Sequence, residues 1–178
     1  VGSEMCIRDR AESAGISRTL LGETLFSGLY LNELLTRLLP KFDAAPTLFA
    51  AYGDAIEVIS TSADPELTLR RFELLLLEEL GYQIQWQRDF EERPVQQTAH
   101  YCYQPDRGFV PSREADTPLV MSGVQLLTLA DWQRSGCAID EICQAKLKGI
   151  MRLAIDQRLG GRPLKVREAV SEWRQLRE

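Results

Sequence analysis

Two clusters of cations are the residues of this chain best suited by type and spacing to bind something. Arg70-Arg71-Phe72 sets two adjacent guanidiniums beside an aromatic ring at the start of a leucine-rich stretch. The N-terminus of a helix carries partial positive charge and unpaired N–H groups, so it attracts anions before any side chain is added. Two arginines there suit carboxylates, and a neighbouring apolar pocket suits a ring. An acidic peptide ending in an aromatic residue offers both. The competing use is internal, with Arg70 paired to Glu66 or Glu73 and Arg71 to Glu78 or to another helix. The second cluster is Arg162, Lys165 and Arg167 in Leu159-Gly-Gly-Arg-Pro-Leu-Lys-Val-Arg167. Cations spaced around a proline-fixed turn can follow a phosphate backbone, giving salt-sensitive affinity that ignores base sequence. Its competing use is to neutralise the carbonyl dipole of a helix C-terminus.

Catalytic chemistry finds little support. His100 is the only histidine, and triads and most catalytic zinc sites need histidine with placed partners. There is no GxGxxG and no P-loop sequence. Gly160-Gly161 ends a helical pattern rather than opening one, which makes it a C-cap. The acidic pairs Glu78-Glu79 and Glu91-Glu92 are adjacent in sequence, and adjacent residues on a helix do not face one another. Cys6, Cys102, Cys137 and Cys143 form no CxxC pair and indicate neither a zinc cage nor a disulfide framework. We therefore expect no enzyme, no cofactor and no bound metal. A hydrophobic content of 44% and a charged content of 26% are those of a globular protein, and no apolar run approaches the roughly 20 residues that span a bilayer. A cytoplasmic protein with no membrane partner is expected. The net charge of −5 is unevenly spread. Residues 144–178 hold nine Lys/Arg against four acids, so a basic end sits on an acidic body. That fits contact with an anionic partner, and equally a solvated helix face.

The elements that must position these cations read as helices. Ser27 is the expected cap of a helix bearing Leu31, Leu34, Leu35, Leu38 and Leu39 and stopped by Pro40. A second helix follows Ala45-Pro46, with Leu48, Phe49, Tyr52, Ile56 and Ile59 on one face. The third, 65–80, starts at Asp64-Pro65, stops at Gly81 and carries four consecutive leucines, Leu74 to Leu77. Four leucines in a row reach most of the way around a helix, so this one is expected to be buried on more than one side. Residues 82–120 change character. Tyr101-Cys102-Tyr103, a turn at 104–108 and Phe109-Val110 predict a short hairpin. Ser122 caps a helix over 123–133, a long helix follows over 138–159, and a charged helix covers 165–177. The fold class is mainly α: a helical bundle with a β-hairpin insertion at about 97–112. Residues 27–178 form the domain and 11–26 a tail or linker. Residues 1–10 have neither periodicity nor caps. Met5-Cys-Ile-Arg-Asp-Arg10 resembles the translation of a sequencing-library adapter and is set aside.

Four segments carry a resemblance in order and spacing: Gly28-Leu-Tyr-Leu-Asn-Glu-Leu-Leu35, Leu69-Arg-Arg-Phe-Glu-Leu74 with Leu80-Gly-Tyr82, Ser122-Gly123 with Leu126-Leu127, and the turn 159–167. Together they resemble the helical C-terminal domain of the bacterial RecO family of DNA repair proteins. The resemblance implies a mediator of recombination in the RecF pathway, associated with the bacterial nucleoid. Such a protein binds single- and double-stranded DNA, engages the acidic tail of single-strand-binding protein, and works with RecR to load RecA at gaps. It implies that Arg70, Arg71 and Phe72 meet the acidic tail and that Arg162, Lys165 and Arg167 meet DNA. It also implies that the family's N-terminal OB-fold barrel, which carries most of the DNA contact, is missing here, with 11–26 as the remnant of its exit. Many relatives hold zinc through paired cysteines in the insertion. This chain has only Cys102 there, which resembles the zinc-free branch. The alternative is a structural helical interaction module without a DNA role.

Overall fold

The computed structural model describes residues 19–40, 45–62, 64–113 and 119–175. The expectations for residues 1–10 and for 11–18 of the tail lie outside the described residues. Three helices come first: α1 Glu23–Leu38, α2 Pro46–Thr61 and α3 Glu66–Glu79. A small sheet follows with β1 His100–Gln104, β2 Gly108–Ser112 and β3 Val120–Ser122, and then α4 Gly123–Ser135, α5 Glu141–Arg158 and α6 Lys165–Gln175. The chain is mainly helical with a small antiparallel insertion, as its patterning implies.

The helix α3 explains the architecture. Leu74 and Leu77 face a core built with the sheet, α4 and α5. Leu69, Phe72 and Leu76 face a second core built with α1, α2 and the end of α5. One helix buried on both sides needs an apolar surface wider than a single stripe, and the leucine run supplies it. Its stop at Gly81 is as the sequence suggests, but at its start Pro65 holds the N-cap place expected of Asp64 and the helix begins at Glu66. The Asp64 carboxylate accepts the Glu66 N–H at 3.0 Å, and Tyr82 N–H returns to Leu77 C=O at 2.7 Å across Gly81, which adopts φ +81°. At the head of α4, Ser122 and Gln125 form a reciprocal capping box, and Asp140 caps α5 through Cys143 N–H.

Several local expectations need correcting. Ser27 does not cap α1, which begins four residues earlier at Glu23. Ser27 sits inside the helix with its hydroxyl donating to Glu23 C=O, while Thr24 exchanges hydrogen bonds with Leu21 just before the first turn. A serine mid-helix bonds backward instead of capping, and sequence periodicity alone does not distinguish the two. Phe49 lies outside the core of α2, with Ala55 taking a buried place instead. Ile142 is exposed on α5, and Cys143 next to it is buried. The hairpin pairs as expected, Tyr101 opposite Pro111 and Tyr103 opposite Phe109. However, β3 adds a strand on the other side of β1, giving the order β2-β1-β3. Three residues are too short to show alternation in the sequence. The turn into α4 is tight. A Cβ on Gly123 would lie 1.9 Å from Gln96 C=O, so only glycine fits there.

Candidate functional site

Successive residues on a helix point about 100° apart, and this separates the arginine pair on α3. Arg70 turns inward. Only 7% exposed, it meets the fully buried Glu73 at 2.8 Å, and Tyr30 of α1 donates its hydroxyl to the same carboxylate oxygen at 2.6 Å. Burial pushes the Glu73 carboxyl upward despite the guanidinium and the hydroxyl that favour its charge. Burial also raises the Tyr30 phenol, with the Glu73 charge adding to it. Phe72 is buried too, its ring edge-on to Tyr52 of α2 at 6.3 Å between centroids. Arg71 alone reaches the surface, its guanidinium lying over the ring of Trp132 at 5.0 Å on α4. The three residues therefore do not line one pocket. Arg71 is the member an external anion can reach, and the internal Arg70–Glu73 pairing is realised.

The second cluster divides in the same way. The turn 162–164 is held by α1. Glu33 accepts the N–H groups of Lys165 and Val166, both at 2.9 Å, and so caps α6 from another helix. Arg37 donates to Pro163 C=O at 2.6 Å and Arg162 C=O at 3.0 Å, and pairs with Glu33 at 3.2 Å. Partial burial would raise the Glu33 carboxyl, but the two backbone N–H groups and Arg37 outweigh it and hold the group below the usual carboxylate range. The free N–H groups that might have cradled a phosphate at α6 are already taken. Arg167 is half-buried, bonded to Asp156 at 2.5 Å and facing the Tyr30 ring. Arg162 and Lys165 stay exposed, and Arg162 lines a concavity of about 390 Å³ together with Arg152 and Arg167.

Sequence reasoning missed two features. The Glu33–Arg37 clamp joins residues more than 120 positions apart, and its only trace is an i,i+4 acid–base pair on α1. The other is a cleft of about 230 Å³ between residues 82–92 and the β1–β2 turn. There Arg158 lies 3.7 Å from the Tyr82 ring centroid and Arg107 lies 4.4 Å from that of Phe90. Arg158 also bonds Asp106 and Pro105 C=O, tying the hairpin tip to α5. No group of three or more metal-binding side chains gathers among the described residues.

The family whose sequence model matches residues 22–168 is described as "Recombination protein O C terminal". The match runs from the cap of α1 to the first turn of α6. The chain belongs to the RecO family. It is 43% identical over 161 residues to the DNA repair protein RecO of Pseudomonas paraeruginosa, covering 89% of this chain and 66% of that relative. It is similar at 41% identity to the DNA repair protein RecO of Stutzerimonas stutzeri, over 93% of this chain and 68% of the relative. The Nitrosospira multiformis DNA repair protein RecO is 36% identical over 98% of this chain and 72% of its own length. The chain thus spans about two thirds of the length of these RecO proteins.

Proposed function

We propose that this chain acts in DNA repair as a recombination mediator of the RecF-pathway type. It binds DNA and the acidic tail of single-strand-binding protein, and with RecR it helps load RecA at gaps; it is a binding protein and makes no covalent change in its partners. The observation that carries the reading is the RecO match across residues 22–168, the span that holds both cation clusters. Its place of work is the bacterial cytoplasm, at the nucleoid. No helix among the described residues is long and apolar enough to cross a membrane.

The geometry refines the assignment of residues. Within Arg70, Arg71 and Phe72, Arg71 is the contact for acidic-tail carboxylates. Arg70 and Phe72 fix the helix that presents it. Within Arg162, Lys165 and Arg167, the exposed Arg162 and Lys165 meet phosphates, while Arg167 holds α6 against Asp156. Binding of a labelled oligonucleotide, followed by fluorescence anisotropy at several salt concentrations, tests the reading. Arg162→Ala with Lys165→Ala should lower the slope of log affinity against log salt by about 1 to 2. A wild-type chain without salt-dependent DNA affinity would leave the second reading, a helical interaction module without a DNA role. That reading draws support from the internal pairing of Arg70 and Arg167.

A further inference from the structure

We propose that the cleft between residues 82–92 and the β1–β2 turn receives one unpaired base of a single-stranded nucleic acid, an inference that rests on the DNA-binding reading above. The lining offers flat faces. The Tyr82 ring is covered on one side by the Arg158 guanidinium yet remains 47% exposed, and Arg107 lies exposed above Phe90. Rings and guanidinium planes are the surfaces on which single-stranded bases stack. The rim offers donors and acceptors. Gln83 and Gln85 bring carboxamides, and Asp106 brings a carboxylate able to accept from an exocyclic amine. Arg88, bonded to Glu92 C=O and otherwise exposed, stands where the adjoining phosphate would lie.

Charge and size favour a base over an acidic peptide. Of the three arginines that line the cleft, Arg158 is already bonded to Asp106, and Glu92 also lines it, so a run of carboxylates would find few cations unmatched. A base carries no charge and needs only planes and polar edges. The volume of about 230 Å³ falls below the roughly 300–1,000 Å³ of sites for drug-sized ligands, which leaves space for a single ring system. The site also has a firm floor. Tyr103 and Phe109 pack with their centroids 5.3 Å apart beneath it, and Arg158 fixes the hairpin tip from α5.

The test compares a short fluorescent oligodeoxycytidine with an abasic oligomer of equal length, each titrated with the whole chain. Tyr82→Ala should lower the ratio of base-bearing to abasic affinity roughly tenfold, the range of one stacked base. Arg107→Lys, which keeps the charge but loses the plane, should lower it in the same direction. Tyr82 and Arg107 are exposed, and unchanged circular dichroism melts would show that the variants fold. Equal weakening on both oligomers, or none on either, overturns the proposal. So does loss of oligonucleotide binding in the cleft through competition by an acidic, phenylalanine-ended peptide, which would make it a peptide site. If only Arg162→Ala with Lys165→Ala abolishes binding, the DNA reading stands and the cleft proposal falls. If the wild-type chain binds neither oligomer, both fall together.

Discussion

The arginine pair on α3 and the basic turn before α6 look alike as sequence and are built on different physics. In the first, two adjacent guanidiniums diverge because the helix turns between them, and the inner one is committed to a carboxylate three residues on. In the second, the cations are sorted by distant residues: Glu33 and Arg37 of α1 hold the turn backbone, Asp156 takes Arg167, and Arg162 and Lys165 remain outside. A count of cations thus measures neither site. What matters is which acids the fold delivers to them, and from how far along the chain.

Breaking the inner half of the pair should have the largest effect. Arg70→Ala leaves Glu73 buried without its guanidinium and should cost about 3–5 kcal/mol, measured by denaturant unfolding. Arg71→Ala, one residue away, should cost about 1 kcal/mol or less. Replacing the whole network, Arg70→Met with Glu73→Leu and Tyr30→Phe, should recover most of the lost stability, because apolar groups of similar volume carry no desolvation cost and no buried hydroxyl is left without its acceptor. Similar losses for Arg70→Ala and Arg71→Ala would erase the contrast between inward and outward arginines.

The clamp should rank next. Glu33→Ala removes the acceptor for two N–H groups and the partner of Arg37, with an expected loss of about 1–2 kcal/mol. The two carboxylates should also impose opposite pH dependence. Glu33, held below its ordinary value in the fold, contributes stability that is complete above the unfolded pKa and is lost as pH falls through the folded one. Glu73 is raised in the fold, so its contribution is complete below the unfolded pKa and is lost as pH rises through the folded one. Unfolding midpoints across the acid range should show Glu33→Gln flattening the acid-side decline and Glu73→Gln flattening the opposite one. A single common slope for both variants would contradict the assignment.

The smallest effects on stability belong to the exposed cations. Arg162→Ala and Lys165→Ala should each change it by no more than about 0.5 kcal/mol while weakening DNA affinity at low salt. Arg71→Ala should weaken binding of an acidic, phenylalanine-ended peptide, read by anisotropy, and leave the salt slope for DNA unchanged. An unaltered peptide affinity would remove α3 from the partner-binding surface.

What was legible in the sequence is what rests on local periodicity. The leucine run of α3 implied burial on two faces, Ser122 marked the head of α4 as a capping residue, and the hairpin announced itself through its turn. The strand β3 was too short to leave a pattern, and Ser27 carried a capping residue's identity without a cap's position. The cation sites were legible only as residue types. Nothing in the chain near Arg70 says that Tyr30 closes over Glu73, and nothing near Arg162 names Glu33, because those partners meet only after the helices pack.

The contact between α1 and α6 has a mechanical consequence. Glu33 and Arg37 grip 162–166, and the rings of Phe26 and Trp173 meet at 5.3 Å between the same two helices. Everything from α2 to α5, the hairpin cleft included, lies within the loop this contact closes. Tension applied between the start of α1 and the end of α6 would be borne by that latch first. The enclosed elements would stay slack, and any cleft among them unstretched, until it opened.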